Sequence, residues 1–161
     1  MLRSVRRRVD SAAGSRCAMA LAMGVSGLFS SAFAEDTPPD FNAQIAPILV
    51  KRCLECHQER DPSGGLVLAH ELGAMAGSKH GPVIVSGMPD ESKLIALVTK
   101  GEMPPEEKGL SKKLPDGEID MLRRWIAGGA PWPEGRTLDL YESTTEVRGG
   151  RDWWSFQPVQ R

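Results

Sequence analysis

The run Cys53-Leu54-Glu55-Cys56-His57 constrains what this chain can fold into more than any other feature of its 161 residues. Two thiols three positions apart, followed at once by an imidazole, form the attachment pattern of a c-type haem. The chemistry demands those residue types in that order. The thiols become thioethers on one edge of a porphyrin, and the next residue supplies an axial ligand beneath the iron. With three Cys and three His in the chain, chance produces the pattern in about one such sequence in a thousand. Three rivals are weaker. A thioredoxin-like pair needs a βαβ setting, and this stretch carries helical periodicity. A zinc site needs a second pair of ligands, and His70 and His80 stand alone. A structural disulfide across two intervening residues is strained.

The N-terminus is consistent with covalent haem attachment outside the cytoplasm. Arg3, Arg6, Arg7, Arg8 and Arg16 precede an apolar stretch from Cys17 to Phe29, and Ala32-Phe33-Ala34 supplies a small-x-small cleavage pattern. Residues 1–34 are therefore expected to be a signal peptide, with an apolar run too short to span a bilayer. The apolar consensus that should follow a twin-arginine pair is missing, so ordinary secretion is expected. Cleavage removes five of 20 basic and one of 21 acidic residues, leaving 15 against 20 and a net charge of −5 over 127 residues. No basic face for nucleic acid is expected from that balance, nor a stable membrane span after cleavage. Cys53 and Cys56 become the mature chain's two cysteines, in a compartment where free thiols react. The protein is expected to be periplasmic or otherwise exported.

Periodicity predicts an all-α fold. Asp40 to Cys56 carries apolar residues at Phe41, Ile45, Ile48, Leu49 and Cys53, with Asp40 as N-cap and Pro47 either kinking the helix or restarting it. His70 to Ala76 has room for one or two turns. A helix beginning around Pro89–Ser92 carries Leu94, Ile95, Leu97 and Val98 and stops at Gly101. The last helix runs from about Asp116 to Ala127, with Ile119, Leu122, Trp125 and Ile126 as its stripe and Gly128-Gly129 behind it. Residues 35–135 are the expected haem domain. Residues 136–161 lose all period, read as a linker, and end in Trp153-Trp154-Ser155-Phe156, as at the start of a downstream domain in a longer parent chain.

The sixth iron ligand has several candidates: Met75, Met88, Met103, Met121, His70 and His80. Met121 sits in an apolar helix stripe and is expected to fill core, Met75 lies in an Ala/Gly-rich patch, and the two histidines are expected at the surface. Met88 and Met103 are both in loops and both precede Pro, which stiffens a loop. Met103 is preferred, because the 46 residues that separate it from His57 let the chain wrap the porphyrin edge and return on the opposite face. Met88 remains its rival.

The runs FNAQIAPILVKRCLECH, GGLVL, GPVIVSGMPDESKLI, GEMPPEEKGLS and LRRWIAGGAPWP, spanning roughly 40–133, resemble the planctomycete-type cytochrome c domain. The resemblance implies a class I-like cytochrome c fold wrapped around one covalent haem c. It also implies thioethers at Cys53 and Cys56, and axial ligation by His57 and the methionine of the Met-Pro-Pro run, Met103. In that family the haem module heads larger proteins, and WWSFQPV looks like the opening of the next domain. There are two departures: Met88 replaces a more usual polar or charged residue, and the last helix begins Pro115-Asp116-Gly117 without the usual Ser or Thr. Within such a fold Phe41 is expected to meet Trp125 where the first and last helices cross. Leu66, Leu68, Leu94 and Val98 are candidates to line the haem.

The expected function is electron transfer by a monohaem, His/Met-ligated domain with no catalytic side chains of its own, serving an unidentified redox partner protein. The competing possibility is a haem enzyme or ligand sensor with an open sixth position, for which His70 or His80 would supply the polar distal group. A docking module with a structural haem is a third.

Overall fold

Asp40 caps the first helical turn, accepting a hydrogen bond from the Ala43 N–H on its carboxylate, while its own N–H donates to Gln44 Oε1. This reciprocal cap brackets a wide π-helical turn, Phe41–Ile45, closed by the Ala46 N–H on the Phe41 carbonyl. Pro47 explains the widening. It has no N–H to offer Ala43, and its ring would strike that carbonyl in a regular helix. The first α-helix, α1, therefore starts afresh at Ala46–Arg52 with Pro47 in its first turn. Of the two outcomes left open for Pro47, the structure takes the restart.

The computed structural model describes residues 37–146, 148–156 and 158. The signal peptide expected over 1–34 lies outside the described residues. Three further helices follow α1: α2, Glu71–Ala76; α3, Lys93–Lys100; and α4, Asp116–Ala127. The described residues form no β-strand, only isolated bridges such as His70 with Thr137, so the fold is helical as expected. α3 starts later than Pro89, because Pro89–Glu91 closes into a separate 3₁₀ turn before Ser92. It stops at Gly101, in the left-handed region at φ 74°, where the Gly101 and Glu102 N–H groups both reach the Leu97 carbonyl.

α3 and α4 run antiparallel, and this decides where the loops go. At one end, the Gly87 N–H donates to the Ile126 carbonyl and Ser86 Oγ to that of Gly129, tying the loop before α3 to the C-terminus of α4. At the other, Gly101 sits against the Lys113 side chain, just before α4 begins. A 12-residue helix is about 18 Å long, so the two ends of this pair are well separated.

The core gathers Ile45, Leu49 and Val50 with Leu94, Ile95, Val98, Leu122 and Ile126. Phe41 meets Trp125 as expected, with ring centroids 6.0 Å apart. A third ring, Trp132, lies closer to Phe41 at 4.4 Å. Both indoles satisfy their N–H groups on backbone carbonyls, Trp125 on Pro131 and Trp132 on Arg136.

The residues after Gly135 have no periodicity, yet they are fastened down. Leu138 is buried and its N–H donates to the Ala69 carbonyl at 2.7 Å. Arg136 forks onto the Glu142 carboxylate and also reaches Asn42. Among the described residues no helix is long and apolar enough to cross a membrane.

Candidate functional site

The helical winding does not stop with α1 but carries on through the cysteines. The Cys53 N–H donates to the Leu49 carbonyl, and the Cys56 and His57 N–H groups both donate to the Cys53 carbonyl. Cys53 to His57 is thus one further helical turn. At a spacing of three, two side chains share a face of such a turn, so both sulfurs are offered to one edge of a flat partner. The turn is then locked: the Cys56 carbonyl accepts from Ser63 and the His57 carbonyl from Leu68.

The two thiols are free and differently placed. Cys53 is partly buried against the core, and burial pushes its thiol up to about 12. A thiol so protonated is a poor redox nucleophile, which counts against a thioredoxin-like pair. Cys56 is exposed. His57 is half-buried, and burial lowers its pKa against the opposing pull of the Leu66 and Ser63 backbone. Burial thus favours the neutral imidazole, the form that ligates a metal. Nδ1 of that ring is fully buried and finds no hydrogen-bond partner of good geometry among the described residues.

Two ion pairs frame the turn. Arg52, the residue before Cys53, forks onto Glu118 in the first turn of α4 with both contacts at 2.9 Å; that hydrogen bond is the main reason its pKa is raised. Lys112 is paired with Glu107, and the charges of Glu55 and Cys56 also act on it. The N-terminal end of α4 and the loop leading into it therefore flank the Cys-His turn.

This orientation separates the candidate sixth ligands. Met103 directly follows α3, its N–H directed to the Leu97 carbonyl, so it lies at the end of the α3–α4 pair that holds Arg52 and Lys112. Its side chain is 37% exposed. Met88 lies in the loop bound to the C-terminus of α4, at the opposite end, and is 50% exposed. Met75 and Met121 are partly buried and pack on the core. His70 spends Nδ1 on capping α2, accepting from the Gly73 N–H at 3.0 Å, and His80 is exposed. Leu66, Leu68, Leu94 and Val98 are all buried in the core cluster.

Sequence reasoning missed the residues that brace the turn from afar. Glu118 is 66 residues from Arg52, and Arg148, whose Nη1 reaches Glu55 Oε2 at 3.1 Å, is 93 residues from it. No sequence spacing marks such pairs. Among the described residues no group of three or more His, Cys, Asp or Glu is assembled to hold a metal ion.

The donor set suits a covalently attached haem. Two unpaired thiols three positions apart lie on one turn, an imidazole whose burial favours its neutral form follows them, and a thioether stands at the same end of the fold. Comparison with the curated proteins and with the solved structures returns no match. Comparison with family models does: residues 53–107, about a third of the chain, match Planctomycete cytochrome C. The match supports a planctomycete-type cytochrome c domain over these residues, a family for which covalently bound haem c is the implied cofactor.

Proposed function

We propose that the chain is an exported monohaem cytochrome c domain that carries single electrons, with its porphyrin joined to Cys53 and Cys56 and its iron held between His57 and Met103. The observation that carries this assignment is the one-turn geometry of Cys53, Cys56 and His57, together with the location of Met103 on the same side of the α3–α4 pair. Residues 1–34 act as the export signal and residues 35–135 as the haem domain. Residues 136–161 follow as a linker, their first part fastened to that domain through Leu138 and the Arg136–Glu142 pair.

Bound haem supplies a one-electron Fe(III)/Fe(II) couple. The chain's residues do the rest. Cys53 and Cys56 would hold one porphyrin edge against the turn that the Ser63 and Leu68 amides brace. His57 offers a neutral nitrogen from a partly buried ring, so the ligand needs no deprotonation at neutral pH. Met103 offers a soft thioether, which favours the reduced metal and raises the potential. If His57 and Met103 both held the metal, substrate would be kept from it and electron transfer would be the chemistry left to the bound group. The open-site alternative needs a polar distal group, whereas His70 is committed to a helix cap and His80 faces solvent.

The test uses the full chain produced in a host competent in cytochrome maturation. Denatured wild-type protein should retain haem by pyridine haemochrome, and Cys53→Ser/Cys56→Ser protein should not. The weak red absorption band of methionine-ligated ferric haem should be present in wild type, vanish in Met103→Ala and persist in Met88→Ala. Colourless wild-type protein, or a band that survives Met103→Ala, overturns the proposal.

A further inference from the structure

We infer that Arg148 is a positioning residue for the Cys53–His57 turn and holds the haem's reduction potential up, a role that rests on the proposed attachment at Cys53 and Cys56. Arg148 lies outside the matched family segment. Its side chain is only 12% exposed, against 38% for Arg52. Nη1 donates to Glu55 Oε2 at 3.1 Å, and the guanidinium carbon stands 5.6 Å from the centre of the Tyr141 ring. Nε and Nη2 are fully buried and find no acceptor among the described residues. A cation so placed is poorly compensated, since its partner Glu55 is 60% exposed and screened by water.

Glu55 is the residue between the two thiols that adjoins Cys56. The charge of Arg148 is therefore delivered to the loop that holds the porphyrin edge. Oxidised iron carries one more positive charge than reduced iron, so a nearby, weakly solvated cation favours the reduced form. A carboxylate in the same place favours the oxidised form. Arg148 and Glu55 should thus move the potential in opposite directions, which a purely mechanical clamp would not do.

The experiment is a spectroelectrochemical titration of the full, matured chain and three variants, with a pyridine haemochrome on each. Arg148→Gln should lower the potential, shifting the equilibrium between oxidation states about threefold to tenfold, where tenfold is about 59 mV for one electron. Glu55→Gln should raise it. Arg148→Lys, which keeps the charge and loses the planar fork, should stay within about twofold of wild type. Haem-bearing Arg148→Gln and Glu55→Gln proteins that shift in the same direction, or an Arg148→Gln shift below about twofold, overturn the role of Arg148 and leave the haem attachment standing. Wild-type protein without covalent haem removes the attachment itself, and this inference with it.

Discussion

Ser92→Ala tests both the packing of the loop before α3 and the choice between two methionines. Ser92 is 1% exposed. Its hydroxyl accepts from the Val85 N–H at 2.9 Å and donates to the Met88 carbonyl at 2.9 Å. Removing the oxygen leaves the Val85 N–H without that acceptor in a partly buried place, at about 1–3 kcal/mol. The Met88 carbonyl keeps the Glu91 N–H, at 3.2 Å, and so loses little. A loss of about 2 kcal/mol lowers Tm by about 8 °C in a domain of this size. Thermal unfolding followed by circular dichroism reads it, and the methionine band of the ferric protein is recorded on the same samples. The stability should fall while the band stays unchanged, because the loosened loop sits at the C-terminus of α4, away from the Cys-His turn. A Tm within about 2 °C of wild type would show that the hydroxyl bracket contributes little. Disappearance of the band would show that the Met88 loop, and not Met103, serves the iron.

Three further outcomes follow from the packing and the ion pairs. The hydrogen bond from Arg136 holds the Glu142 carboxyl below its usual range in the folded chain; because the folded value is the lower one, the pair stabilises above the unfolded carboxylate's pKa and its contribution disappears on acidification through the folded value. Glu142→Gln should flatten that acid limb by about 1 kcal/mol in urea melts recorded from neutral to acid pH, and an unchanged limb would refute it. Trp125→Ala removes a fully buried ring that contacts Phe41 and Trp132 and donates to Pro131, so chemical denaturation should show a loss of about 3–5 kcal/mol. His70→Ala deletes the cap on Gly73; hydrogen exchange at that amide should quicken roughly fivefold, about 1 kcal/mol, with little change in α4.

The Cys-x-x-Cys-His motif was legible in the sequence because its chemistry is contiguous: one helical turn brings five consecutive residues into register with no help from the rest of the chain. α4 was legible for a related reason, since Ile119, Leu122, Trp125 and Ile126 repeat at helical spacing and Gly128-Gly129 marks the stop. The meeting of Phe41 and Trp125 was also foreseen. Trp132 was not, because it lies beyond the last helix, where no period points to the core. The exact start of α3 was missed by a few residues, because Pro89-Asp90-Glu91 has helix-opening composition and spends it on a separate 3₁₀ turn.

The local grammar of the chain, its helices, stops and contiguous attachment motif, follows from the sequence alone, because each rests on interactions between residues a few positions apart. What the fold alone decided is long-range. The antiparallel pairing of α3 with α4 sends the two Met-Pro loops, alike in sequence, to opposite ends, and only that of Met103 to the end holding Cys53 and Cys56. Leu138 docks after a stretch without period, and Arg148 reaches Glu55 across 93 residues. Such contacts leave no spacing to read: each depends on where the packed core places two distant backbones, and many different sequences between them would place them equally well.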